Sequence, residues 1–317
     1  MSETVHVAVA VIVNQADEVC ISLRHKQAHQ GGLWEFPGGK IEKHETPEQA
    51  LAREIKEELN LVIQTSRPFI MVKHGYQDKK VCLHVYKVLR YSGDAAGAEG
   101  QEVTWVPVNQ LSDFDFPAAN LAIIKALQLP EKYLITGKFV DEEDFLKKLR
   151  EALHSGIKLV QLRLKAGDLQ VGKVPELIQQ ASTLCVSVNA KLLLNIPEDF
   201  YNLIDMSTLV FDGYHADSKK LKQLSMRPAG ELFSASCHTM EEILKAEQLH
   251  ADFIVLSPVQ KTASHPEMQA MGWPAFSDYV EKCRIPVYAL GGVSESDIET
   301  ACLHGAQGVA AISAFWR

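Results

Sequence analysis

A paired glycine, Gly38-Gly39, is followed by a lone acid, Glu45, and then by Arg53-Glu54-Ile55-Lys56-Glu57-Glu58. Thr46-Pro47 opens a helix, threonine as N-cap and proline at the first helical position. Glu48 falls in its first turn, where the helix dipole favours an acid. At about 100° per residue, Glu57 lies roughly 60° to one side of Glu54 and Glu58 roughly 40° to the other. The three carboxylates therefore share a face, and Ala52, Ile55 and Leu59 are expected on the core side. Arg53 stands one turn before Glu57 and can pair with it. A solvated helix face ordinarily interleaves opposite charges. Gathered carboxylates beside a glycine turn instead suit a hard divalent cation that keeps waters and substrate phosphates among its ligands. The chemistry expected is hydrolysis of a phosphoric anhydride.

The elements that would hold this face follow from the pattern around it. Residues 5–13 are β-branched and read as a buried strand, and residues 19–24 as the next. Residues 68–74 and 80–89 read as two strands joined by the polar turn Gly75-Tyr76-Gln77-Asp78, and 102–108 as another. A helix over 118–127 closes the half. Leu129-Pro130-Glu131-Lys132 marks a boundary, giving domains 1–129 and 131–317. Beyond it, short apolar strands are expected at 133–136, 159–163, 191–196, 208–212, 232–237, 253–259, 286–291 and 309–313. Helical runs at 142–154, 174–186 and 240–250 lie between several of them. That alternation predicts a compact (β/α)8 barrel. The charged runs Lys147-Lys148-Leu149-Arg150 and Lys219-Lys220-Leu221-Lys222 read as solvated helix faces.

Composition narrows the possibilities. A chain of 317 residues, 46% hydrophobic, is long enough for two domains with a core each. A net charge of −8 argues against a grip on duplex nucleic acid through its phosphates. None of the cysteines 20, 82, 185, 237, 283 and 302 forms a C-x-x-C pair, as expected of buried thiols in a reducing cytoplasm. The polar start Met1-Ser2-Glu3-Thr4 has no signal-peptide character, and the apolar run 5–13 is too short to span a bilayer. A cytoplasmic location without membrane association is expected.

The spacing G-x5-E-x7-R-E-U-x-E-E-x-G-U, with U apolar, resembles the Nudix box, Asn60 standing where that family has glycine. Asparagine tolerates the left-handed backbone such a helix end requires. Trp34-Glu35-Phe36-Pro37-Gly38-Gly39-Lys40-Ile41-Glu42, Ala98-Glu99-Gly100-Gln101 and Phe116-Pro117-Ala118-Ala119-Asn120 resemble MutT-type 8-oxo-dGTP diphosphatases, over about residues 3–128. The resemblance implies an α/β/α sandwich with a mixed sheet, and Mg2+ (with Mn2+ able to take its place) held by Glu57 and Glu58 with the Gly38 carbonyl. Glu54 would ligate metal or position the attacking water, and Glu99 would complete the metal shell or act as base. Lys40 and Arg24 are candidates for the phosphates, Arg24 being equally a surface charge. Asn120 would read the base or cap the following helix; Phe36 would pack on the base or fill the core. The implied reaction converts 8-oxo-dGTP to 8-oxo-dGMP and pyrophosphate, sanitising the nucleotide pool. A Nudix hydrolase for another nucleotide, such as ADP-ribose, is the alternative.

The second half resembles the thiamin phosphate synthase and TenI group through Leu159-Val160-Gln161-Leu162-Arg163-Leu164-Lys165, Asp212-Gly213-Tyr214-His215, Ser234-Ala235-Ser236-Cys237-His238, Leu290-Gly291-Gly292-Val293 and Ala310-Ala311-Ile312-Ser313. The resemblance implies a (β/α)8 TIM barrel binding a phosphorylated thiamin precursor through Gln161, Arg163, Lys165 and His238. Gly291, Gly292, Ile312 and Ser313 would form the phosphate cradle. Where the synthases carry Asn-Asp-Arg this chain has Asn195-Ile196-Pro197, and Gln260-Lys261-Thr262-Ala263-Ser264-His265 departs from their loop as well. A thiazole tautomerase using His238, a synthase and a non-catalytic regulatory module all stay open.

Overall fold

β-Branched and small apolar residues at Val5, Val7, Val9 and Val11 alternate with Ala8, Ala10 and Ile12, so the first strand can bury both faces. In the computed structural model, which describes residues 4–27, 30–76, 79–262 and 269–317, this strand is central. The chain divides into two compact units, Met1–Leu129 and Pro130–Arg317.

In the first unit the strands are β1 (Thr4–Ile12), β2 (Glu18–Leu23), β3 (Trp34–Glu35), β4 (Gly38–Lys40), β5 (Val62–Gly75), β6 (Lys80–Ser92) and β7 (Val103–Pro107). The helices are α1 (Pro47–Leu59) and α2 (Ala118–Leu127). A mixed sheet runs β4-β1-β6-β5, with β1 parallel to β6 and the other pairs antiparallel, and β3-β2-β7 form an antiparallel sheet. Ala50, Leu51, Ile55 and Leu59 of α1 pack with Ala8, Ala10 and Ile12 on one face of β1. Ala119, Ile123, Ile124 and Ala126 of α2 pack with Val9 and Val11 on the other. This is the expected α/β/α arrangement. Burial of Ile55 and Leu59, both fully enclosed, contributes about 1.5–3 kcal/mol each. Ala52 corrects the helical-wheel expectation: it is exposed, and Leu51 takes the core position instead.

The second unit holds a closed barrel of parallel strands in the order β10-β11-β12-β13-β14-β15-β8-β9. They are β8 (Lys132–Ile135), β9 (Leu159–Arg163), β10 (Lys191–Asn195), β11 (Gly213–Ala216), β12 (Leu232–Cys237), β13 (Phe253–Leu256), β14 (Val287–Ala289) and β15 (Gly308–Ala311). Between them run α3 (Glu142–His154), α4 (Val174–Ser187), α5 (Glu198–Leu203), α6 (Ser218–Gln223), α7 (Met240–Gln248), α8 (Gly272–Val280) and α9 (Ile298–Leu303). Tyr133, Phe253 and Tyr288 fill the interior, with Tyr133 edge-on to Phe253 at 5.4 Å.

The strand expected at 208–212 is displaced. Val210 is 58% exposed, and the fourth barrel strand begins at Gly213. A Cβ on Gly213 would stand 1.8 Å from the Leu232 carbonyl oxygen. Glycine thus permits close strand approach where an apolar run would not, and the Asp212 carboxylate turns to accept the Leu192 N–H at 2.7 Å. Met1, Ser2, Glu3, Gln77, Asp78, Ala263, Ser264 and His265 lie outside the described residues. Among the described residues no helix is long and apolar enough to cross a membrane.

Candidate functional site

The carboxylate face of α1 is built by its two ends. Thr46 and Gln49 form a reciprocal capping box at the start. At the end, Asn60 takes the left-handed conformation (φ 56°, ψ 22°) and Lys56 Nζ donates to its Oδ1 at 2.6 Å. Between them Arg53 acts as a clamp. Its Nε and Nη2 donate to the two Glu45 oxygens at 2.7 and 2.9 Å, and Nη1 donates to Glu54 at 2.8 Å and Glu57 at 3.2 Å. Nη2 also reaches the Lys40 carbonyl at 3.1 Å, tying the helix to β4. Hydrogen bonds from Arg53 hold the Glu45 carboxyl down at about 2.

The glycine turn closes on this face. The Gly38 N–H donates to Glu58 Oε2 at 3.0 Å. A Cβ on Gly39 would sit 2.1 Å from the Glu54 carboxylate carbon, so only glycine lets that carboxylate lie over β4. The loop carrying Glu99 docks on the end of α1, since the Ala98 N–H and Gln101 Nε2 both donate to the Glu58 carbonyl at 2.9 Å. Glu99 is exposed there. Burial pushes the Glu58 carboxyl up to about 8, and the charges of Glu35, Glu54 and Glu99 push the same way against the Gly38 N–H. Glu58 thus stands within electrostatic reach of Glu35, Glu54 and Glu99, a set of hard oxygen donors. That donor set fits Mg2+ or Mn2+.

Glu35 is the acid that sequence reasoning missed. Burial raises it to about 7 despite an ion pair with Arg24, so Arg24 spends its charge on Glu35. The available signal was Glu35's place in the strand leading to Gly38. Phe36 is 2% exposed and stacks on Phe116 at 5.7 Å; it is a core side chain. Asn120 lies inside the first turn of α2, whose N-cap is Pro117. It is buried, and its Oδ1 accepts the Phe36 N–H at 3.3 Å. Lys40 is exposed beside the carboxylate face.

In the barrel, Gln161, Arg163, Lys165, His238, Gly291, Gly292, Ile312 and Ser313 all belong to the C-terminal halves of strands or to the turns just beyond them. Parallel strands bring these to one rim. Gln161 is fixed from below: its Nε2 donates to the Tyr133 hydroxyl at 3.0 Å and its Oε1 accepts from Asn195 at 2.9 Å. The network continues to His215, whose Nδ1 and Nε2 meet the Ser234 and Ser236 hydroxyls at 2.7 and 2.8 Å. Burial pulls His215 down to about 3, so its ring is neutral near neutrality. His238 Nδ1 faces the Ser257 carbonyl at 2.7 Å, which leaves Nε2 as the nitrogen that could work on a ligand. Gly291 (φ 95°) and Gly292 (φ 71°) are packed against Pro258 and Lys261 so closely that a Cβ on either would clash. Lys220 corrects the reading of its charged run. Instead of facing water it is half-buried over the Tyr201 ring at 5.2 Å, and it donates to the Ile196 carbonyl. Burial lowers its pKa. His215 was not singled out as a site residue and Lys220 was read as solvated because mixed polar residues on a short strand and a six-residue helix carry no clear period.

Two family models match the chain, one described as NUDIX domain over residues 8–126 and one as thiamine monophosphate synthase over residues 132–315. The second half is 35% identical over 191 residues to an Aquifex aeolicus protein provisionally named thiamine-phosphate synthase 2, covering 60% of this chain and 99% of that protein. The first half is 38% identical over 122 residues to the 8-oxo-dGTP diphosphatase of Escherichia coli, covering 38% of this chain and 95% of that one. It is 34% identical over 123 residues to the 8-oxo-dGTP diphosphatase of Haemophilus influenzae, covering 39% and 90%.

Proposed function

The chain belongs to the Nudix family through its first half and to the thiamine monophosphate synthase family through its second, and we propose that it hydrolyses 8-oxo-dGTP to 8-oxo-dGMP and pyrophosphate, removing a damaged DNA precursor. Its first half is a hydrolase of phosphoric anhydrides. The observations that carry the substrate proposal are the buried Glu58 carboxyl, on which the charges of Glu35, Glu54 and Glu99 act, and the buried Asn120. Glu57, Glu58, Glu54 and the Gly38 carbonyl would hold the metal, with Glu99 at its edge. The ion, when bound, neutralises phosphoryl charge and makes water a better nucleophile. Arg53 keeps Glu54 and Glu57 in place. Glu54 or Glu99 accepts the proton of the attacking water, and Lys40 meets the phosphates.

Asn120 supports the choice of base. Its carboxamide is oriented by the Phe36 N–H, and an amide can match an oxidised guanine whose N7 has become a donor. A site that hydrogen-bonds a base edge rejects analogues presenting the wrong pattern. Asn120→Ala is expected to reduce the preference for 8-oxo-dGTP over dGTP by about tenfold or more. Pyrophosphate release from 8-oxo-dGTP, dGTP and ADP-ribose with Mg2+ tests both points. Preference for ADP-ribose would reject the assignment in favour of another Nudix activity.

For the barrel we infer a phosphorylated thiamin-related ligand at the rim of Gln161, Arg163, Lys165, Gly291, Gly292, Ile312 and Ser313. Ile196 and Pro197 give no carboxylate beside Asn195 to hold a cation for pyrophosphate departure, which favours a tautomerase or a binding module over a synthase. The expected result is that thiazole phosphate raises the thermal midpoint of the full chain. Turnover lost in His238→Ala would favour the tautomerase, and the absence of any stabilisation by thiamin precursors would reject the ligand class.

A further inference from the structure

On β6, Cys82 and His84 project to the same face, and the parallel register sets His6 of β1 beside Cys82. This is the face that α1 covers further along, where Ala8, Ala10 and Tyr86 enter the core. His6 Nδ1 and His84 Nε2 lie 2.9 Å apart, and with the Cys82 sulfur one ligand atom from each residue falls within 4.8 Å of the others. His6 is exposed, His84 half-buried and Cys82 buried, so the cluster opens to solvent on one side only.

We propose that His6, Cys82 and His84 form a second metal site, separate from the carboxylate face, that takes a borderline-soft transition ion of the zinc type. A thiolate and two imidazoles prefer such ions to magnesium. A tetrahedral zinc with Zn–N of about 2.0–2.1 Å spaces its nitrogen ligands about 3.3 Å apart, so the two rings need little movement to accept one. Three protein ligands leave the fourth position for water. Surrounding charges are mixed. Glu48, whose carboxylate accepts the Tyr86 hydroxyl at 2.8 Å, acts electrostatically on His84 from the start of α1. Burial raises the Cys82 thiol, and Lys73, its register partner on β5, acts against that rise without overcoming it. An ion here would pin β1 to β6 beside the first turn of the helix that carries Glu54, Glu57 and Glu58. Its role is to stiffen that helix's seat, with no contact to substrate.

Cobalt(II) titration of the reduced full chain, with Mg2+ in excess, tests this. The expected result is one equivalent bound with a thiolate-to-cobalt charge-transfer band, displaced by Zn2+ and absent in Cys82→Ser. The all-oxygen carboxylate site cannot give that band. His6→Ala, at an exposed position that leaves the fold intact, should weaken binding by about tenfold or more and remove any rise in thermal midpoint on adding Zn2+. No charge-transfer band at stoichiometric cobalt, the same band in Cys82→Ser, or unchanged affinity in His6→Ala overturns the proposal.

Discussion

Replacing Glu58 by glutamine is expected to cut pyrophosphate release from the preferred nucleotide by about 10^3-fold while leaving the protein folded. Glutamine has the same shape, and its amide oxygen can still accept the Gly38 N–H now 3.0 Å from Glu58. What disappears is one negative charge from a group of four carboxylates whose crowding suits a divalent cation. The same crowding gives a second readout in metal-free protein. The Glu58 carboxyl titrates at about 8 when folded, well above the ordinary carboxylate value. Between those two pH values the folded chain holds a proton that the unfolded chain has released, so stability falls as pH rises through that window. Glu35, raised to about 7, adds to the slope in the same direction. Urea unfolding in chelator across pH 4–9 (about the span of both groups) should show the decline in the wild type and a shallower one in Glu58→Gln. Retained turnover would remove Glu58 from the metal site. An unfolded variant would show that the charge has a structural task instead.

Features written in local sequence were the legible ones. The box helix announces itself through Thr46, Pro47 and the acids, and its end through Asn60, whose left-handed backbone agrees with the reading. In α3, Phe145, Leu149 and Ala152 mark one buried stripe behind the N-cap Asp141, and the expected bounds match the structure. Strands β3 and β4 went unseen because two or three residues show no alternation, though they carry Glu35 and Gly38. The expected strand at 68–74 extends back to Val62, since polar residues such as Thr65 and Ser66 gain a ladder partner only in the folded sheet. In the site, the acids of α1 were visible as spacing. The grip of Arg53 on Glu45 and the approach of Glu35 to Glu58 were not, because each joins segments brought together by chain folding. The barrel's polar floor of Tyr133, Gln161, Asn195 and His215 is distributed over separate strands for the same reason.

Gly38 and Gly39 are neighbours with opposite vulnerabilities, and substituting each with alanine should separate folding from catalysis. A Cβ on Gly38 would stand 2.1 Å from the Ala8 carbonyl oxygen and 2.9 Å from the Val9 Cα, both backbone atoms of the central strand. Its φ of +148° is also one that side chains resist. Nothing there can yield except the ladder itself, in which Gly38 pairs with Val9. Gly38→Ala is therefore expected to destabilise the first unit by about 3 kcal/mol or more and to release Glu58 from its N–H donor. At Gly39 the obstructing atoms are the Glu54 carboxylate, 2.1–2.3 Å from the added carbon, at the end of a flexible side chain. That carboxylate can swing aside, so Gly39→Ala should cost under about 1.5 kcal/mol. Displacing a reacting-site group by about 1 Å lowers turnover by about 100-fold, and loss of Glu54 from its seat beside Arg53 should do at least that. Urea midpoints and pyrophosphate release measured on both variants decide the matter. A stable, inactive Gly39→Ala beside a weakly folded Gly38→Ala is the expected pair. An active Gly39→Ala would mean that Glu54 works from another position, or does not work at all.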